Sequence, residues 1–146
     1  MEAGMKKLAD SIAGRLLAAG FAMQRYDAYS TNSVYLKLDY GVCNSIRISD
    51  HPGKKHLKYR YNIGPFVKKF REEMDKYPRL YYRADKSARM IKRIVWDREV
   101  KKSRYGDDGY ERLMRKNRIE RAGSRGFWRE AVLLEGTQTL ENARRI

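Results

Sequence analysis

Apolar and polar side chains alternate strictly along two stretches in the first half of the chain. The apolar members of these stretches are Val34, Leu36, Leu38, Ile46 and Ile48. Polar, aromatic or charged residues occupy the positions between them. Because successive side chains of a strand point to opposite faces, this period of two predicts two half-buried β-strands.

A third alternating stretch follows at once and completes a predicted hairpin over residues 45–63. Its apolar and aromatic positions are Leu57, Tyr59, Tyr61 and Ile63, and they alternate with Lys58, Arg60 and Asn62. The intervening Asp-His-Pro-Gly run at 50–53 is typical of a turn. Lys54, Lys55 and His56 are therefore expected at its tip. The pattern gives the hairpin one apolar face and one cationic face.

Helical periodicity replaces alternation before and after these strands. Residues 5–19 carry apolar side chains at helical spacing, and Gly20 is a natural C-cap. A first strand is predicted from Met23 to Tyr29. A second helix is predicted after Gly64-Pro65, ending before Pro78 and covering the apolar face of the sheet.

The second half of the chain is predicted to be mainly helical and basic. Residues 79–83 fit either an edge strand or a loop. A helix over about 86–103 places Ala88, Ile91, Ile94 and Val95 on a core face, with Lys86, Arg89 and Arg93 opposite them. Another basic helix is expected over 110–122. Loops are predicted at 106–109 and 123–126, and residues 127–134 fit helix or strand equally.

These patterns predict one α+β domain over residues 1–146. Its core, residues 1–78, reads α-β-β-β-β-α, with an N-terminal helix and an antiparallel meander of three or four strands covered by helices. Residues 79–135 form a basic helical extension, and residues 136–146 a polar tail.

Charge narrows the class of partner. The chain has 33 Lys and Arg against 18 Asp and Glu, a formal charge of +15. Residues 79–104 alone hold 10 basic and 3 acidic side chains. Such an excess favours an anionic partner: nucleic acid, a ribonucleoprotein or an acidic protein surface. The pattern does not predict the oligomeric state.

The sequence offers little for catalysis. Cys43 is the single cysteine, so no internal disulfide can form, as expected of a cytoplasmic protein. No apolar run is long enough to span a membrane. We find no zinc-binding spacing, no phosphate-cradling glycine loop and no cofactor motif. His51 and His56 are candidates for acid–base chemistry on RNA, although no nucleophile or third group accompanies them.

The hairpin also carries a family resemblance. The run Ile46-Arg47-Ile48-Ser49-Asp50-His51, followed by a polar turn and a strand ending in Asn62-Ile63, resembles small phage and mobile-element proteins. Among them is an anti-CRISPR family that blocks the RNA-guided nuclease of type II-A systems. The resemblance implies an inhibitor without enzymatic chemistry that acts in a bacterial host cell.

Charge and resemblance together predict a non-enzymatic inhibitor that docks on an effector nuclease, its guide RNA or its target DNA. We expect the contacts at Arg47, His51, Lys54, Lys55, Lys58, Arg60, Arg83, Lys86, Arg89 and Arg93. Two alternatives remain: a general DNA- or RNA-binding protein, and a nuclease that uses His51.

Overall fold

Six antiparallel strands form the sheet around which the chain is built, in a computed structural model that describes residues 3–51, 54–60, 79–120 and 131–135. The strands are β1 (Met23–Ala28), β2 (Ser33–Leu38), β3 (Ser45–His51), β4 (Lys54–Arg60), β5 (Arg79–Arg83) and β6 (Val132–Leu134). Their order across the sheet is β5-β4-β3-β2-β1-β6. The first five strands thus form a meander in chain order, and β6 pairs with the outer edge of β1.

The predicted α+β class and the predicted antiparallel meander of three or four strands are confirmed, and the sheet is larger than predicted. Residues 79–83 are a strand, and the undecided stretch after residue 126 contributes β6. The hairpin ladder is also longer, because it pairs His51 with Lys54. Lys54 and Lys55 therefore belong to β4 and not to a loop tip, since polar residues at a strand end still pair their backbone groups.

The described residues form three α-helices beside the sheet: α1 (Ala3–Ala18), α2 (Ser87–Tyr105) and α3 (Asp107–Glu120). The end of α1 confirms the predicted cap. Gly20 has φ +88°, its N–H donates to the Leu17 carbonyl, and the Phe21 N–H donates to the Leu16 carbonyl. These two bonds are those of a Schellman motif, and buried Phe21 and Leu16 supply its apolar residues.

The helix α3 begins three residues earlier than predicted. Residues 107–109, expected in a loop, form its first turn. Only Gly106, with φ +75°, interrupts the two helices. Asp107 and Asp108 suit this position because acidic side chains interact favourably with the positive end of the helix dipole.

All three helices share one core on one face of the sheet. Its fully buried members include Ile12 and Leu16 from α1, Leu36, Ile46 and Ile48 from the sheet, Met90 and Ile94 from α2, and Tyr110 from α3. Residues 79–120 therefore contribute strand and helices to the same core as the N-terminal half. No helix in the described ranges is long and apolar enough to cross a membrane.

The buried face of α2 differs from the prediction. Ala88, expected in the core, is exposed, whereas Met90, Asp97 and Arg98 are buried beside Ile94. Ile91 and Val95 pack only at the margin of the core. The prediction failed because it assigned every charged residue to solvent, although Asp97 and Arg98 have partners inside the protein.

Several predicted features lie outside the described residues. They are the residues at the Pro52-Gly53 turn, the helix after Gly64-Pro65, the Asn62-Ile63 end of the hairpin, the loop at 123–126 and the tail at 136–146.

A left-handed turn between β2 and β3 joins the sheet to the helices. Asp39, Tyr40 and Gly41 have φ of +49°, +57° and +90°. Such a conformation is costly for residues with a side chain and persists where surrounding contacts determine it. Here the buried Asp39 carboxylate accepts hydrogen bonds from the Ala22 N–H at 3.0 Å and the Tyr110 hydroxyl at 2.5 Å. The carboxylate therefore ties this turn to the start of β1 and to α3.

We expect Asp39→Ala to lower the free energy of unfolding by about 2–4 kcal/mol, because it leaves two buried donors unpaired and removes a side chain that tolerates positive φ. Chemical denaturation would measure the loss. Glu99→Ala is the control: Glu99 is exposed, and its replacement should change stability by no more than about 0.5 kcal/mol. Equal stability of the two variants would contradict the role given to Asp39.

Candidate nucleic-acid interface

The strand register sorts the sheet residues into two sets. Successive strand residues alternate between faces, and directly paired residues of neighbouring strands share a face. One set holds the core residues, such as Leu36 paired with Ile46. The other set has these members, from β6 across to β5: Leu133; Gln24, Tyr26, Ala28; Ser33, Tyr35, Lys37; Ser45, Arg47, Ser49, His51; Lys54, His56, Lys58, Arg60; Arg79, Tyr81, Arg83.

This second set is called the cationic sheet face below. Seven of its positions are Lys or Arg, and none is Asp or Glu. The described helices pack on the opposite face. In a chain with 18 acidic residues, their absence from this whole set leaves a face of one sign. It is the arrangement expected of a surface that meets an anionic partner.

Aromatic and basic residues meet in the middle row of the cationic sheet face. The ladder aligns Tyr26, Tyr35, Arg47, Lys58 and Tyr81 across five strands, from β1 to β5. The Arg47 guanidinium carbon lies 5.6 Å from the centre of the Tyr35 ring, a cation–π contact. With strands spaced about 4.8 Å apart, the row extends over about 19 Å.

The row is accessible at its β5 end. The Tyr81 residue is 59% exposed and the Arg83 side chain 84% exposed, whereas Tyr35 and Arg47 are half-buried. Ser33 and Ser49 are buried, so the face is not open along its whole extent. Among the described residues, this face is therefore most accessible on its β5 side.

The hairpin residues predicted to contact a partner divide between the two sets. Arg47, His51, Lys54, Lys58 and Arg60 fall at positions of the cationic sheet face, as does Arg83 on β5.

Lys55 falls in the other set, because the register pairs it with Asp50. Its prediction as a tip residue beside Lys54 is corrected by the ladder, which gives neighbouring strand residues opposite faces.

Two cations of this face, Lys37 and Arg79, are absent from the contacts predicted from sequence. The signal that identifies them is the register itself. Lys37 pairs with Ser45, Ser45 with Arg60, and Arg60 with Arg79, so both residues belong to the cationic sheet face. The period of two in residues 34–38 was sufficient to place Lys37, but the partner of Arg79 could be known only from the fold.

Lys86, Arg89 and Arg93 lie together at the start of α2, away from the sheet face. Lys86 and Arg89 are exposed. Arg93 is different, because its Nε lies 3.3 Å from the carboxylate of Asp97, whose side chain is only 6% exposed. The Arg93 guanidinium also lies 4.8 Å from the centre of the Trp96 ring. The three cations thus lie on one side of the helix, and Arg93 also pairs with the buried Asp97 carboxylate.

Two further cations of α2 act inside the protein. Arg98 donates from Nη2 to the Ala19 carbonyl at 2.7 Å, where α1 ends, and stacks 3.9 Å from the centre of the Phe21 ring. A cation at this position also interacts favourably with the negative end of the helix dipole. Lys101 donates to the Val42 carbonyl at 2.9 Å. Burial lowers the pKa of Lys101. These two residues hold α2 to the rest of the fold and are not available to a partner.

A cleft of about 590 Å³ beside Asp39 is a second candidate ligand site. Burial raises the pKa of Asp39 and of Glu135, which both line it. Yet the Asp39 oxygens already accept from Ala22 and Tyr110, and Glu135 accepts from the Tyr40 hydroxyl and pairs with Arg118 at 3.2 Å. Because both carboxylates already bond to groups of the protein itself, we assign this pair of acids a structural role.

Metal ligands do not gather in the described part of the chain, where no group of three or more His, Cys, Asp or Glu is close enough to hold an ion. Burial raises the pKa of the Cys43 thiol to about 12.

Comparison with known proteins adds no relative. No protein-family model matches the sequence, and neither a curated protein nor a solved structure is significantly similar to it.

We expect Arg93→Ala to lower the free energy of unfolding by about 1–3 kcal/mol, because it removes an ion pair of the buried Asp97 carboxylate and the contact with the Trp96 ring. Arg89→Ala, on the same side of the helix, should change it by no more than about 0.5 kcal/mol. Urea unfolding of the two variants checks this. If both retain full stability, Arg93 is only a solvated surface charge.

Proposed function

We propose that this protein binds nucleic acid without catalysing a reaction and thereby inhibits an RNA-guided effector nuclease of the type II class. The observation that carries the proposal is the cationic sheet face, with seven basic positions and no acidic one. The choice of an effector nuclease as the target rests on the resemblance of residues 45–63 to anti-CRISPR proteins.

A basic surface acts on such a target by occupying phosphates. Each Lys or Arg that meets a phosphate releases counterions, so binding is favourable at low salt and requires no base sequence. A protein with a charge of +15 is not a mimic of DNA, which needs an acidic surface. Inhibition would therefore come from covering guide RNA or target DNA, or from contact with an acidic surface of the effector.

The outer side of α2 is suited to contact with an acidic surface of the effector. Lys86 and Arg89 are exposed there, and Trp96 and Val100, 56% and 45% exposed, lie on the same side of the helix. Exposed Trp beside Arg is a composition found at the centres of protein interfaces. We therefore propose that this side meets the effector protein while the cationic sheet face meets nucleic acid.

A second candidate function is general binding of DNA or RNA by a phage or mobile-element protein, with no CRISPR target. It is favoured by the charge pattern, which is independent of the resemblance. The third possibility, a nuclease using His51, depends on a side chain outside the described part of the structure. Both are separated from the main proposal by the experiment below.

The experiment is target cleavage by a guide-loaded type II effector with the purified protein added in increasing amounts. We expect cleavage to fall as the protein approaches molar excess, with the guide RNA intact. Undiminished cleavage at large excess, together with salt-sensitive binding of free nucleic acid, would favour the second candidate. Degradation of the guide, lost in His51→Ala, would favour the nuclease.

Arg83→Ala tests the surface itself. Removing one phosphate contact should weaken binding to nucleic acid and reduce the slope of log affinity against log salt by about 0.7–0.9. Arg112→Ala is the matched control, since Arg112 is an exposed cation on α3, away from the sheet face. Equal effects of the two variants would mean that only the net charge matters.

A further inference from the structure

We infer that the cationic sheet face binds single-stranded rather than double-stranded nucleic acid, with a base stacked on Tyr81. The inference rests on the proposed nucleic-acid binding and specifies its ligand. It follows from the position of one exposed ring among aligned cations, from the shape of the surface and from the location of the described helices.

Tyr81 has the surroundings of a stacking platform. It is 59% exposed on β5, and it is paired with Lys58 on the neighbouring strand. Arg79 and Arg83 lie two residues before and after it, which places each about 7 Å away along the strand on the same face. A base stacked on the ring would therefore have basic strand positions before it, after it and on the neighbouring strand.

Leu80 and Tyr82 fix this orientation of Tyr81. Both belong to the opposite set of positions and pack against the core under α2. Because β5 alternates, anchoring these two residues directs the Tyr81 ring away from the core. Tyr81 therefore belongs to a strand that Leu80 and Tyr82 anchor to the core, and not to a loop.

Arg47 supplies a second, pre-oriented contact on the same row. Its guanidinium is held over the Tyr35 ring, and its Nε is shielded from solvent without a hydrogen-bond partner among the described residues. A shielded guanidinium nitrogen without an acceptor is uncommon in folded proteins. A phosphate or base oxygen that reached this guanidinium would supply the missing acceptor.

A duplex fits this surface poorly. Its bases are stacked inside and are read by an element that enters a groove. An α-helix or an isolated two-stranded ribbon has a suitable shape, but the described helices lie on the other face of the sheet and the β3–β4 hairpin is flanked by further strands. A duplex laid on the face would offer phosphates but no ring surface to Tyr81. A single strand offers both, and base–aromatic stacking tolerates any sequence.

Trp96 is a comparable exposed ring elsewhere, at 56% exposure on α2. Its neighbour on the same helix side is the aliphatic Val100, which is 45% exposed. Val100 offers a nucleotide neither stacking nor hydrogen bonds. Trp96 therefore serves as the matched control for Tyr81.

The test compares binding of the full chain to an oligothymidylate, an oligouridylate and a mixed-sequence duplex of the same length, at one salt concentration near physiological. We expect the single strands to bind about 10-fold or more tightly than the duplex. Tyr81→Ala should weaken single-strand binding by about 10-fold while changing duplex binding by less than about twofold. Tyr81→Phe should retain binding, because the ring face remains. Trp96→Ala should also retain it.

Three results would overturn the inference. Equal affinity for duplex and single strands would reject it but leave the proposed nucleic-acid binding intact, as would a loss in Trp96→Ala without one in Tyr81→Ala. Absence of binding to every oligonucleotide would reject both. Circular dichroism and thermal unfolding of each variant check folding, and Tyr81→Leu provides a second substitution that keeps an apolar strand residue but removes the aromatic face.

Discussion

The alternation of apolar and polar side chains in β2 and β3 is the constraint on which the rest of the structure depends. Leu36 and Ile46 must reach the core, so Tyr35 and Arg47 must lie on the other side. A shift of register by one residue would exchange the two sets and bury charge. The same hydrophobic burial that stabilises the sheet therefore gathers the cations on one face.

Buried polar contacts then fix how the helices meet that sheet. Asp39 joins the left-handed turn to β1 and α3, Arg98 joins α2 to the end of α1, and Lys101 joins α2 to the β2–β3 connection. Removing one partner from such a contact is costly because the other is left without water or a hydrogen bond. These bonds give each helix one position where apolar packing alone would allow several.

The basic residues of this protein consequently have two kinds of role. Arg98 and Lys101 are committed to carbonyl groups inside the fold, and Arg93 is paired with buried Asp97. Arg83 and Arg89 have exposed side chains. A high net charge therefore overstates the number of cations that a partner can meet. We propose that nucleic acid binds the sheet and that the effector protein binds α2. This proposal uses only exposed cations, such as Arg83 and Arg89, and the aligned basic positions of the strands.

The sequence alone determined the elements whose pattern is local. Period-two alternation located β2 and the β3–β4 hairpin, helical spacing located α1 and α2, and Gly20 marked the end of α1. It also placed Arg47 opposite the apolar face, because parity along a strand needs no knowledge of the partner. Tertiary structure decided the rest. Lys55 belongs to β4 and not to a loop tip because backbone pairing continues to the His51–Lys54 pair, beyond the end of the apolar alternation. Strand β5 depends on pairing with β4, and Arg98 is buried because the end of α1 offers it a carbonyl acceptor. The partners of β5 and of Arg98 are distant in sequence, so no local pattern could report them.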